Sequence, residues 1–210
     1  MRSTIVIALA SGLLALFTAA CGSSASAGKT SVATKTSTPT GGPSGPSVGA
    51  LSPEATSAAT GDIPDNQAFL TYHNPVEHYS MSYPEGWALK GSGRDVSFVD
   101  KNNVVHVVIA SAPAPTTAAV TAELSRLKQA NPVLTFSPAA TIALKSGSAV
   151  KAKYTTQTPP NPVTGKRVVL IVDRYELSRA GKRATVDLGT PKGVDNVDAY
   201  RKLINSFRWQ

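Results

Sequence analysis

Gly45-Pro46-Ser47-Val48-Gly49 spells the G-x-S-x-G pattern in which hydrolases present a nucleophilic serine. That chemistry needs a strand feeding a strained turn into a helix. Here Pro- and Gly-rich sequence flanks the pattern on both sides, so Ser47 reads as a linker residue. Of the three histidines, His73 and His78 lie five apart with Glu77 between them, a spacing that neither helix nor strand brings to one face, and no third ligand is close in sequence. His106, in Val104-Val105-His106-Val107-Val108, shares a strand face with Val104 and Val108 and is expected on a sheet face, hydrogen-bonded, under or beside a helix. Asp95, Asp100, Asp173, Asp187, Asp195 and Asp198 are scattered over turns and strand ends, without a pairing suited to acid and base work. The expectation is no catalytic residue, no metal and no cofactor.

Cys21 is the exception, because its surroundings suit one reaction. Arg2 precedes an apolar stretch from Ile5 to Phe17, which leads into Thr18-Ala19-Ala20-Cys21-Gly22. The stretch is too short for a spanning helix, which needs about 20 residues, and the small residues after it suit a signal peptidase. The run resembles the bacterial lipobox, with Thr18 where leucine is usual. It implies cleavage before Cys21 and attachment of fatty acyl chains such as palmitate to its thiol. As the only cysteine, Cys21 also excludes an intramolecular disulfide.

Three segments follow: a lipoprotein signal peptide over 1–20, a Ser/Thr/Pro/Gly-rich tether over 21–66, and a globular domain over 67–210. The tether has hardly any large apolar side chain and is expected to stay disordered, with a reach of roughly 35–40 Å. From Gln67 onward there are 18 Lys and Arg against 10 Asp and Glu, so the net charge of +8 resides in the domain. If alternate residues of paired strands face water together, Lys151, Lys153, Lys166, Arg167, Arg174, Lys182 and Arg183 form one basic patch suited to an anionic lipid, polymer or protein. The proline-stiffened loop Thr158 to Gly165 projects from the same hairpin.

The elements that would position these residues read as strands first. Tyr79 to Tyr83 alternates large and small side chains, and Pro84-Glu85-Gly86-Trp87 turns the indole back to the core. Strands at Asp95–Val99 and Val104–Ala110 are joined by Asp100-Lys101-Asn102-Asn103. Further strands are expected at Val150–Thr156, Arg167–Leu177 and Arg183–Leu188, with a shorter one from Thr135 or Thr141 to Leu144. Val120, Leu124 and Leu127 recur at helical spacing between Thr116 and Ala130. Val194, Val197, Tyr200, Leu203, Ile204 and Phe207 trace the apolar face of a last helix. Helices against a largely antiparallel sheet make an α+β fold.

The block from Tyr79 to Trp87, with Val96-Ser97-Phe98-Val99-Asp100 and the strand Val104 to Ile109, resembles the opening of the PsbP-like domain. The ending Tyr200 to Arg208 is similar to the closing helix and "SF" element of that family, which includes actinobacterial lipoproteins of the LpqN kind. The resemblance implies a PsbP-like α/β/α sandwich in an accessory protein, and its motifs are structural.

The sequence therefore points to a non-enzymatic accessory or binding module, lipid-anchored to the outer face of the cell membrane. Its expected partner is an envelope protein, an anionic lipid or a wall polymer; nucleic acid is excluded by address. A carrier of a hydrophobic small molecule or lipid is the alternative, since small core residues leave room for a cavity. A third reading, an envelope hydrolase, finds less support.

Overall fold

The computed structural model describes residues 61–210. Alternation of apolar and polar side chains shapes most of it: β4 (Asp95–Asp100) and β5 (Asn103–Ser111) bury every second residue, as period-two strands do. They pair antiparallel through a two-residue turn in which Lys101 adopts a left-handed conformation, φ 51°. β3 (Ala88–Ser92) flanks β4. On the far side of β5 come β10 (Lys182–Pro191), β9 (Val169–Arg179), β8 (Gly147–Gln157) and β6 (Thr135–Phe136), with β7 (Ala140–Leu144) also on β8. Every pairing in this eight-stranded sheet is antiparallel. The short strand expected at Thr135 or Thr141 is thus two strands, both on β8.

A second sheet sets β2 (Tyr79–Pro84) between β1 (Phe69–Asn74) and β11 (Arg208–Trp209). One face of the large sheet carries Val96, Phe98, Val105, Val107, Val186 and Leu188. Against it pack Tyr79 and Met81 of the small sheet, Tyr200, Leu203 and Ile204 of α2 (Val197–Ser206), and Phe207 just after the helix. The other face, with Val150, Ala152, Tyr154, Leu170 and Val172, takes Val120 and Leu124 of α1 (Thr117–Ala130). The expected α+β class and helix-flanked antiparallel sheet are present, with one helix on each face. The small sheet shares the α2 side, which the local pattern did not show.

Three sequence expectations need correction. Leu127 is exposed rather than on the α1 core stripe, because Val120 and Leu124 alone meet the sheet. Val197 is also exposed, at the first position of α2. The ordered fold begins before residue 67. Ile63 packs into the core, its N–H donates to Asn196 Oδ1 at 2.8 Å, and the side-chain amides of Asn103 and Asn196 both donate to the Gly61 carbonyl. The segment reads as linker because two distant asparagines, rather than its own apolar residues, hold most of its backbone. The 1–20 and 21–66 assignments, apart from residues 61–66, fall outside the described residues, as do Cys21 and Ser47.

Candidate functional site

The seven basic residues do not form one patch, because strand register sends them to opposite faces. Lys151 and Lys153 pair with Tyr175 and Asp173, whereas Arg174 pairs with Ala152 and Asp187 on the α1 side. Carboxylates then engage most of them. Lys151 and Lys153 share Asp173 at 3.0 and 3.7 Å, and Lys151 also lies 5.0 Å above the Tyr175 ring. Lys182 reaches Glu77 at 2.8 Å, and Arg183 lies between Glu123 and Glu176 at 3.7 and 3.3 Å. Lys166 and Arg167 are exposed in the β8–β9 loop, where Arg167 Nη1 donates to the Thr158 carbonyl at 3.1 Å. The loop is shaped by Asn161, whose Oδ1 accepts from the backbone N–H groups of Val163 and Thr164.

Arg174 is the centre of a charged cluster between α1 and the sheet. Its Nε and Nη2 donate to the two oxygens of Asp187 at 2.8 and 2.7 Å, and its Nη1 donates to Glu123 at 2.9 Å. The Tyr154 hydroxyl donates to Asp187 at 3.1 Å, and the Tyr154 ring lies 5.3 Å from the guanidinium. Burial disfavours the charge on Arg174, yet the Asp187 hydrogen bonds outweigh it and hold the pKa above its ordinary value. Planar, forked recognition of this kind is geometry that Arg alone supplies.

Glu176, in the same layer between Val150 and Thr185, is fully buried. Neither carboxyl oxygen makes a hydrogen bond, and the nearest cation is the Arg183 guanidinium at 3.3 Å. Burial pushes its pKa up from 4.5; Glu123 and Asp187 reinforce this, while Arg183 and Arg174 oppose it. The folded protein then binds the proton more tightly than the unfolded chain, so stability declines as pH rises from 4.5 through the raised value. Glu176→Gln removes that decline. The variant is expected to gain stability on the parent as pH is raised from 4.5 to neutral, because it has no buried carboxyl to ionise there. It should gain little at pH 4.5, which thermal unfolding at both pH values checks.

The histidines stay apart. His106 is on the α1-side face with Val104 and Val108 and meets Asp95 at 2.8 Å, whereas His73 Nδ1 meets Gln210 Nε2 at 2.9 Å. Among the described residues, no group of three or more His, Cys, Asp and Glu could hold a metal ion.

His78 instead lines a cleft of about 290 Å3 with Glu77, Arg179, Ala180, Lys182, Trp209 and Gln210. Three distant segments build it. The β1–β2 turn supplies Glu77 and His78, the β9–β10 turn supplies Arg179 to Lys182, and β11 with the residue after it supplies the floor. The floor is fixed by Gln210 N–H donating to the His78 carbonyl at 2.7 Å and by Arg179 Nη1 donating to the Trp209 carbonyl at 3.0 Å. Glu77 is buried, and its two oxygens accept from Lys182 at 2.8 Å and Arg94 at 3.0 Å. The Lys182 hydrogen bond, reinforced by Arg94, holds its carboxyl below the usual range against the opposing effect of burial. A second cavity, of about 310 Å3, opens at the start of α2 between Ile63, Phe69, Val197 and Lys202.

No family model matches the chain, and no curated protein matches it. Solved structures similar to it include cyanobacterial PsbP (CyanoP) from Synechocystis sp. PCC 6803, at 17% identity and TM-score 0.48, covering 72% of this chain and 99% of that one. A protein of Bacteroides thetaiotaomicron VPI-5482 is similar at 13% identity and TM-score 0.45, over 67% of this chain and 48% of that one. The Ran-binding protein Mog1p of Saccharomyces cerevisiae is similar at 9% identity and TM-score 0.44, over 68% and 95%.

Sequence reasoning missed the cleft. Its one local cue is the row of charges around the β9–β10 turn; His78 and Trp209 are brought there only by tertiary pairing.

Proposed function

We propose that the chain is a lipoprotein anchored to the outer face of a cell membrane, with a non-catalytic domain that binds a partner in the envelope, in the manner of actinobacterial lipoproteins of the LpqN kind. The observation that carries the reading is the apolar run Ile5 to Phe17 ending in Thr18-Ala19-Ala20-Cys21, with the chain's only cysteine at the position that acylation uses. The intervening sequence then lets the domain stand off from the headgroups.

A binding task is supported by how the domain disposes its charges. Asp187 is clamped by the Arg174 fork at 2.8 and 2.7 Å, and Glu77 by Lys182 and Arg94; both carboxylates stabilise structure. The Arg174 cluster also favours a binding module over a lipid carrier, because it places charged groups between α1 and the sheet, where a sheet–helix cavity would have to be apolar. The partner is an envelope protein, an anionic lipid or a wall polymer, drawn by the domain's excess positive charge.

The test is metabolic labelling with an alkyne fatty acid in the producing cell. The wild-type chain is expected to take up the label, and Cys21→Ser to lose essentially all of it; a labelled Cys21→Ser variant contradicts the anchor.

A further inference from the structure

The cleft at the β9–β10 turn combines features that the fold itself does not use. Arg179 has five donor hydrogens in a rigid fork, and among the described residues its side chain makes one hydrogen bond, from Nη1 to the Trp209 carbonyl. Lys182 and the exposed His78 face the same space. Glu77, the one acidic side chain of the lining, is already shared by two cations, Lys182 and Arg94, and with Arg179 the side chains of the cleft and its rim carry an excess of positive charge. The indole Nε1 of Trp209 is buried with no acceptor among the described residues, an uncommon condition for a donor that usually finds a partner when buried. Both walls are held in place at cost. His78 and Ala180 are non-glycine residues in the left-handed region, φ 56° and 49°, a conformation that persists only where its surroundings impose it.

We propose that this cleft binds a phosphate monoester, its oxygens taken by Arg179, Lys182 and His78 and its apolar body lying against the Trp209 indole. A forked guanidinium and an ammonium, with an imidazole from the opposite wall, supply donors from several directions, as a tetrahedral oxyanion with three free oxygens requires. A volume of about 290 Å3 admits a headgroup with a short apolar attachment. The phosphate can come from a soluble ester or from an anionic lipid such as phosphatidic acid. This rests on the binding-module reading and names the ligand class for it.

The test uses the mature lipoprotein in neutral detergent, with phenyl phosphate as the soluble probe and tryptophan fluorescence as the readout. Trp87, the other tryptophan, is buried in the core, and Trp87→Phe isolates the Trp209 signal. Saturable binding is expected, weakened about tenfold or more by Arg179→Gln, which removes the charge and the fork. Arg167→Gln, which removes an exposed charge elsewhere, should leave binding unchanged. Equal loss in the two variants, an equal response to phenol, or no saturable response overturns the site. A parallel arm compares phosphatidylcholine vesicles with and without phosphatidic acid. Competition with phenyl phosphate by the phosphatidic acid vesicles alone assigns the lipid source, and its absence assigns the soluble one. Release of inorganic phosphate from the bound probe would contradict the non-catalytic reading while leaving the cleft intact, so the two failures are distinct.

Discussion

Arg174→Met is expected to destabilise the domain by about 3–5 kcal/mol, the cost of leaving a buried partner charge uncompensated. Arg174 and Asp187 are both buried on the α1 side of the sheet. With the guanidinium gone, Asp187 keeps only the Tyr154 hydroxyl, and Glu123 loses its closest cation. In a domain of this size the loss corresponds to a fall in Tm of roughly 10 °C or more. Removing both charges in Arg174→Met/Asp187→Leu should recover most of it, because the penalty belongs to the orphaned carboxylate more than to the lost pair. Chemical denaturation of the parent, single and double variants measures the coupling; a double variant no better than the single would mean that the cluster contributes chiefly through packing. Arg167→Ala, on the exposed β8–β9 loop, is expected to change stability by less than about 0.5 kcal/mol.

Phe207→Ala is the second large effect, about 3–5 kcal/mol. The Phe207 ring is fully buried at the end of α2. It stacks on Tyr79 of β2 at 5.4 Å and meets Trp209 of β11 edge-on at 5.3 Å. One side chain thus ties α2, β2 and β11 together, and the floor of the cleft depends on it. Burial among these rings also pushes the Tyr79 hydroxyl up to about 12. The variant should lose near-ultraviolet circular dichroism from Trp209 along with stability, whereas Phe207→Leu, which refills part of the volume, should lose about half as much. The "SF" ending is therefore a packing device, as its resemblance to a structural motif implies.

Elements with a clean period were legible. β2, β4 and β5 follow from alternation and α1 from Val120 and Leu124, with Thr116 Oγ1 accepting from Ala119 N–H at 3.1 Å at the start. β3 was not, because all five of its residues are exposed and no alternation marks it. The division into two sheets was hidden too, since β2 takes partners ten residues before it and about 130 after it, and no local pattern encodes that choice. The basic patch failed for a related reason. Residue types were correctly read, but Lys166 and Arg167, expected on a strand, fall in the β8–β9 loop, the faces of the others depend on register, and Asp173, Glu176 and Asp187 on the same strands were available to neutralise the cations. A search for interleaved opposite charges would have pointed to ion pairs.

Intact-mass measurement of the mature polypeptide, purified from membranes, tests the lipid anchor most directly. Anchoring predicts a chain that starts at Cys21 and is heavier than the bare peptide by an acylated glyceryl group on that thiol. A mature chain that starts elsewhere, or one with residue 21 carrying a free thiol, would contradict it.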